Sequence, residues 1–125
     1  MDDAIAVALS SGRFVDITTT GRQTGLPRRI EIAIHHLGDR WFISGMPSRR
    51  KRAWIANLEA DRRLTIHLKG AGQKADLPAV ARVIDAEPER REIMPRIAAA
   101  WRRTDVERMV AASPLIEVTF ENLGA

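Results

Sequence analysis

The chain has 125 residues, 45% of them apolar and 29% charged, which suits one soluble domain with one core, residues 1–125, and leaves no room for a second of ordinary size. It contains no cysteine, which excludes disulfides, thiolate metal sites and cysteine nucleophiles, and no apolar run approaches the ~20 residues a membrane-spanning helix needs. The net charge of +4 favours anionic partners without distinguishing nucleic acid from nucleotide or phosphate.

The start, Met1-Asp2-Asp3-Ala4, carries acids where a secretory signal would carry basic residues, so a cytoplasmic location is expected by default. Phe14–Thr20 is rich in β-branched residues and reads as a first strand. Gly21 and Gly25 then sit at turn spacing. Arg29–His35 alternates with period two, placing Ile30, Ile32 and Ile34 on one face of a second strand. Leu37–Arg40 is a turn, and Trp41–Gly45 reads as a third strand. Trp54, Ile55 and Leu58 recur at helical spacing, giving a short helix over Arg52–Leu58.

Arg63–Leu68 is a fourth strand and Lys69–Gln73 a glycine-bearing loop. A fifth strand over Leu77–Ile84 carries Pro78, which implies an edge or a bulge. Asp85-Ala86-Glu87-Pro88 opens a helix, with Asp85 as the capping acid and a proline in the first turn. Pro95 is expected to kink or divide that helix. Asp105–Ala112 is a further short helix, and Leu115–Phe120 a sixth strand. Runs of neighbouring strands without β-α-β alternation predict a mainly β fold with α: about six antiparallel strands closing into a small barrel, a short helix after strand three and a helical segment before the last strand.

Cations concentrate in the N-terminal half. Thr18–Arg29 is a glycine-flanked turn with free amides and hydroxyls, followed by adjacent Arg28 and Arg29; it reads either as an anion nest with guanidinium forks or as a solvated hairpin. Gly45-Met46-Pro47-Ser48-Arg49-Arg50-Lys51-Arg52 sets four cations ahead of a helix N-terminus, where the dipole disfavours them; a bound phosphate or carboxylate would compensate, and solvent screening is the alternative. His35 and His36 are adjacent on a strand and point to opposite faces, so they cannot share a metal. With His67 they read as structural or surface residues, and no metal site or Ser-His-Asp order stands out. Trp41 and Trp101 read as core. Trp54, directly after the basic run, is placed to cover an aromatic ring.

The stretch Ile17–Arg29, together with Gly38-Asp39-Arg40-Trp41, Trp54-Ile55-Ala56-Asn57-Leu58 and Asp85-Ala86-Glu87-Pro88, resembles the deazaflavin-dependent nitroreductase and quinone reductase family over about Phe14 to Met94. The resemblance implies a split β-barrel of the flavin-mononucleotide-binding superfamily. It also implies hydride transfer from a reduced deazaflavin (coenzyme F-420) to a quinone, nitroaromatic or other conjugated acceptor. By resemblance, Arg22, Arg28 and Arg29 fall in the segment lining the cofactor groove, Gly45 to Arg52 where the phosphate and acidic tail bind, and Trp54 at the start of the adjacent helix. Arg29, Arg49, Arg50 and Lys51 are expected to act as clamps, and the backbone of Ile30, Glu31 and Ile32, with Trp54, to position the ring.

Three departures stand out: Glu31 and Ile32 replace the family's proline and leucine, a long N-terminal extension is lacking, and the chain has no tyrosine. No residue is expected to act as a catalytic acid or base, since the cofactor carries the chemistry. The alternatives are a flavin mononucleotide (FMN) reductase, a non-catalytic cofactor carrier, and a basic nucleic-acid-binding barrel. Trp54 is the only aromatic near the cations, which disfavours the last, and no nucleic-acid partner is expected. A homodimer is expected from strands apolar on both faces.

Overall fold

The computed structural model describes residues 14–70 and 73–121. Its elements run β1 (Phe14–Thr20), β2 (Pro27–Leu37), β3 (Arg40–Ser44), α1 (Ala53–Ala60), β4 (Arg63–Gly70), β5 (Gln73–Val83), α2 (Glu87–Ala100), α3 (Val106–Ala112) and β6 (Leu115–Phe120). The six strands form a closed barrel in the order β1-β2-β3-β6-β5-β4, with every neighbouring pair antiparallel.

Period-two alternation divides β3 and β6 between two cores. On β3, Trp41 and Ile43 enter the barrel with Val15, Ile17, Ile34, Ile66 and Val118, whereas Phe42 points out. It joins Ile93, Met94, Ile97, Met109 and Leu115 beneath the pair α2 and α3. Trp54, Ile55 and Leu58 of α1 plug the barrel. Arg90 of α2 holds the helical pair together: its guanidinium donates to the carbonyls of Ile84, Met109, Val110 and Ser113, closing the C-terminal end of α3.

Several expectations need correction. Helix α2 runs unbroken through Pro95, because Ile93, Met94, Ile97 and Ala98 are all buried and their packing offsets the missing hydrogen bond. Asp85 does not cap it: the N-cap is Ala86, with no side-chain bond, and the acids in the first turn are Glu87 and Glu89. Lys69 and Gly70 belong to β4 and Gln73 to β5, since backbone pairing continues to Gly70↔Gln73. Strand β5 therefore starts earlier than Leu77 and ends at Val83. Pro78 lies at the end of the β5–β6 ladder, one residue before Ala79↔Phe120: its carbonyl accepts from the Glu121 N–H at 3.1 Å, and its missing N–H falls where pairing stops. Residues 71–72 of the expected loop and the acidic start at residues 1–4 lie outside the described residues.

The feature that positions the site is a mismatch in strand length. Strand β2 has 11 residues and β3 has five. Pairing between them begins only at Ala33↔Ser44, while β1 pairs with β2 from Pro27 onward. Among the described residues, the edge of β2 over residues 27–32 that faces away from β1 has no strand partner. The chain leaves β3 at Gly45 and returns as α1, so a groove remains between that bare edge and the helix.

Candidate cofactor groove

Two lobes make up the groove, sharing Ile30 and Trp54. The larger, of 570 Å³, is mostly apolar: Ile30, Glu31, Ile32 and Ala33 of β2 form one wall, and Trp54, Trp101, Gly45 and Met46 form the other, with Phe14, Arg52 and Arg103 at its rim. Residues from both faces of β2 line this lobe because it wraps around the unpaired strand edge. Met46 and Phe14 expose 57% and 61% of their surface here, an apolar exposure that a flat ring would cover. The second lobe, of 410 Å³, is polar and lies between the β1–β2 turn and α1, lined by Gly21, Arg22, Gln23, Thr24, Arg28, Ala53, Trp54 and Asn57.

Local chemistry explains why the turn holds its shape. The Gly21 N–H donates to the Leu26 carbonyl and the Gly25 N–H to the Gly21 carbonyl, each at 2.8 Å. A side chain at Gly21 would come within 2.8 Å of Thr24 Oγ1 and 3.1 Å of the Leu26 carbonyl, and Gly25 sits at φ +70°. Both glycines are therefore required by the backbone path. Asn57, only 5% exposed, ties helix to turn: its Oδ1 accepts from the Arg22 N–H at 3.0 Å and its Nδ2 donates to Thr19 Oγ1 at 3.1 Å. The N-cap of α1, Arg52, makes no side-chain cap, and Ala53 and Trp54 of the first turn line the polar lobe. The first two amides of a helix have no partner within it, and here they belong to Ala53 and Trp54, which face the groove, whereas the Ile55 N–H donates to the Arg52 carbonyl at 3.1 Å. Arg52 Nη2 donates to the Met46 carbonyl at 2.7 Å, fixing the segment after Gly45 against the apolar lobe.

Register separates residues that are adjacent in sequence. Val15, Ile17 and Thr19 are buried on the inner face of β1, and opposite them stand Ile32, Ile30 and Arg28. Arg28 thus shares the groove with Arg22, whereas Arg29 lies opposite Thr18 on the outer face and pairs with Asp16 at 2.9 Å. Lys69 bridges Asp16, at 2.7 Å, and Glu31 there. Hydrogen bonds to Lys69 and then Arg29 hold the Asp16 carboxyl below its usual range. Glu31, one of the departures from the family pattern, has its charge matched by Lys69.

Of the residues singled out in the sequence, the groove gathers Arg22, Arg28, Ile30, Glu31, Ile32, Gly45, Met46, Arg52 and Trp54. Ser48, Arg50 and Lys51 line a different cleft beside α3. Pro47 and Arg49 line neither lobe, and Arg29 is on the outer wall. Trp101, expected in the core, is only partly buried and lines the apolar lobe, because it forms the C-cap of α2 and so projects beyond the helix. Sequence reasoning passed over Asn57, although a polar residue among Trp54, Ile55 and Leu58 on a short buried helix signals a tie to another element. Trp101 and Arg103 gave no such signal, since only the tertiary fold brings the end of α2 to Gly45.

The histidines are also placed by the fold. His35 is buried, edge-on to Trp101 with ring centroids 4.7 Å apart, its Nε2 has no partner, and burial lowers its pKa to about 4. His67 spans β1 and β5: its Nε2 lies 2.6 Å from Thr18 Oγ1 and its Nδ1 lies 2.7 Å from Asp76 Oδ1. No group of three or more metal-ligating side chains occurs among the described residues.

A closed six-stranded antiparallel barrel with an opened strand edge between an apolar, aromatic lobe and a cationic lobe defines a split β-barrel. Solved structures support the fold. HutZ, the heme storage protein of Vibrio cholerae, is 13% identical with a TM-score of 0.71, covering 97% of this chain and 90% of its own. An FAD-binding protein of Mesorhizobium loti is 11% identical with a TM-score of 0.62, covering 98% and 91%. A Clostridium acetobutylicum protein related to general stress protein 26, of the pyridoxinephosphate oxidase family, is 11% identical with a TM-score of 0.67, covering 94% and 82%. At such identities the likeness establishes the architecture alone. No curated protein matches the chain. The family is nonetheless defined: the chain belongs to the F420H(2)-dependent quinone reductase family, whose model matches residues 4–119. It is thus an enzyme of an oxidoreductase family that depends on a reduced deazaflavin.

Proposed function

We propose that the groove holds a deazaflavin (coenzyme F-420) with its ring in the apolar lobe and its phosphate toward Arg22 and Arg28, and that the enzyme reduces a quinone, a nitroaromatic or another conjugated small molecule. The observation that carries this reading is the bare edge of β2 over residues 27–32 beside Trp54 and Trp101. An unpaired strand edge offers N–H donors and C=O acceptors at fixed spacing, which suits the amide-like rim of a flavin-type ring. A 570 Å³ lobe is in the ~300–1,000 Å³ range of small-molecule sites. Arg22, Arg28 and the first two amides of α1 supply a preformed anion seat within reach of that lobe.

When bound, the reduced deazaflavin supplies a hydride to the acceptor, and a solvent proton completes the reduced product. The protein's own part is placement. Trp54 and Trp101 confine the ring, Arg52 holds the Gly45–Met46 wall in position, and the β2 edge sets the ring's orientation. Lys69 keeps Glu31 paired, so the Glu31 carboxylate at the rim of the lobe is neutralised rather than left to repel an anionic acceptor. General acid or base groups are not required for this chemistry.

The test is titration of the purified protein with reduced and oxidised deazaflavin, and separately with FMN, followed by fluorescence and by oxidation of the reduced cofactor on adding a quinone. Micromolar or tighter deazaflavin binding with quinone-dependent oxidation supports the reading. Tight binding of FMN alone changes the cofactor and keeps the groove. Cofactor binding without any oxidation makes the protein a carrier.

A further inference from the structure

On the outer wall of the barrel, away from the groove, three strands set a hydroxyl, an imidazole and a carboxylate in series. The Thr18 hydroxyl lies 2.6 Å from His67 Nε2, and His67 Nδ1 lies 2.7 Å from Asp76 Oδ1. Register imposes the order. His67 of β4 stands directly opposite Asp76 of β5, while Thr18 of β1 stands opposite Thr65, two residues from His67 on the same face. Asp76, as a carboxylate, can only accept, so in the neutral imidazole the proton sits on Nδ1 and Nε2 accepts from the Thr18 hydroxyl. That polarity is the one a nucleophile, its general base and an orienting acid require. The His67 side chain is only 12% exposed, which holds the ring in this geometry. Over these residues lies a cleft of 690 Å³ lined by Arg29, His67, Lys69 and Asp76, within the ~300–1,000 Å³ range of small-molecule sites. Lys69 is occupied by Asp16 and Glu31. Arg29 bonds Asp16 through Nε, and its two Nη groups have no partner among the described residues. It stands directly opposite Thr18. The hydroxyl is thus flanked by a base on the β4 side and a free guanidinium fork on the β2 side.

We propose that Thr18, His67 and Asp76 form a second active site, a triad that hydrolyses small, uncharged carboxylic esters. Thr18 Oγ1 attacks the ester carbonyl as its proton passes to His67 Nε2, and the negative charge that develops on the carbonyl oxygen is met by Arg29. The bond to the alcohol oxygen then breaks, the alcohol leaves with the proton from His67, and the acyl group remains on Thr18. Water, giving its proton to the same Nε2, displaces Thr18, which recovers that proton as the acid departs. Nothing is oxidised or reduced. Arg29 fills the oxyanion role because β1 lies between β2 and β4 and its strand amides are committed to those ladders. The acyl group is small because the Thr18 methyl crowds the attacking oxygen. It is uncharged because Asp16 and Glu31 are cancelled by Lys69 and Arg29, so nothing on this face selects a charged ester. The triad and Arg29 line neither lobe of the groove, and the proposal stands whether or not a cofactor binds there.

The experiment uses the full chain without cofactor, with 4-nitrophenyl acetate as the ester and diisopropyl fluorophosphate as a reagent for activated hydroxyls. The expected result is saturable release of 4-nitrophenolate beyond that of free imidazole at the same concentration. Thr18→Val and His67→Gln should each lower kcat/KM at least tenfold, and Thr18→Ser should retain turnover. Arg29→Ala should lower kcat more than it changes KM. Asp76→Asn alters a side chain 77% exposed, so it tests the triad without endangering the fold, and it too should slow turnover. Peptide mapping should find one phosphoryl adduct, on Thr18, and none in His67→Gln. A hydrogen-bond network that served the fold alone would shift thermal unfolding without directing that adduct. Turnover no faster than free imidazole overturns the triad, as does turnover kept by Thr18→Val. So does the absence of an adduct at Thr18, or an adduct there that His67→Gln leaves undiminished.

Discussion

The two sides of strand β3 treat the same barrel in opposite ways. Toward α2 and α3, Phe42 is sealed under Ile93, Met94, Ile97 and Met109, and even the arginine there spends its donors on helix-end carbonyls. Toward α1, β3 stops five residues after it starts, and six residues of β2 are left without a partner on that edge. Closure on one side gives stability, and incomplete pairing on the other gives a place for a ligand. A site of this kind needs no catalytic cluster, only a strand that outruns its neighbour and a helix that returns beside the gap.

The sealed side should be the more sensitive to loss of volume. Phe42→Ala is expected to destabilise the protein by about 3–5 kcal/mol in urea unfolding, because Phe42 is 1% exposed and its cavity lies between strand and helices. Deazaflavin affinity of the folded fraction should hardly change. A large loss of affinity without loss of stability would break the separation between the two sides.

His35 sits at their junction, and its effect should depend on pH. It is neutral when folded, with a pKa of about 4, against an ordinary value of 6.5 when unfolded. The unfolded chain therefore binds this proton first as pH falls. Stability should be fully present above about 6.5, decline between 6.5 and 4, and change no further through this group below 4, a difference on the order of 3 kcal/mol. His35→Phe should flatten that part of the profile in urea unfolding series, while titration of the carboxylates persists at lower pH.

Asn57 tests the hinge between α1 and the β1–β2 turn. Asn57→Ala removes the acceptor for the Arg22 N–H and the donor to Thr19, with an expected loss of about 1–3 kcal/mol. Cofactor binding should weaken too, because Arg22 loses its backbone anchor; unchanged binding would show that the turn needs no such tie.

Much of this was legible in the residues. β1 and β6 show the bounds expected from β-branched and alternating residues, and two of the family motifs, Ile17–Arg29 and Trp54–Leu58, supply groove residues. What the sequence hides is the side on which a strand's residues face relative to its neighbours. Arg28 and Arg29 look equivalent as a pair, yet register with β1 sends one to the groove and the other to Asp16. The basic run Arg49–Arg52 reads as one patch, yet the turn into α1 distributes it between the groove and the cleft beside α3. Pro95 shows the limit of a local rule, since four buried neighbours on α2 outweigh one missing hydrogen bond. Trp101 reaches the groove only through a long-range contact that no local pattern encodes.

The measurement closest to the central claim is deazaflavin titration of Arg28→Ala and Arg29→Ala side by side. The substitutions are adjacent and remove the same charge, but lie on opposite faces of β2, and Arg29→Ala also removes the ion pair with Asp16. Affinity should fall at least tenfold, about 1.4 kcal/mol, for Arg28→Ala, and less than threefold for Arg29→Ala. Equal losses would mean that net charge rather than the groove attracts the cofactor, and a larger loss at Arg29 would place the cofactor on the outer face and contradict the account.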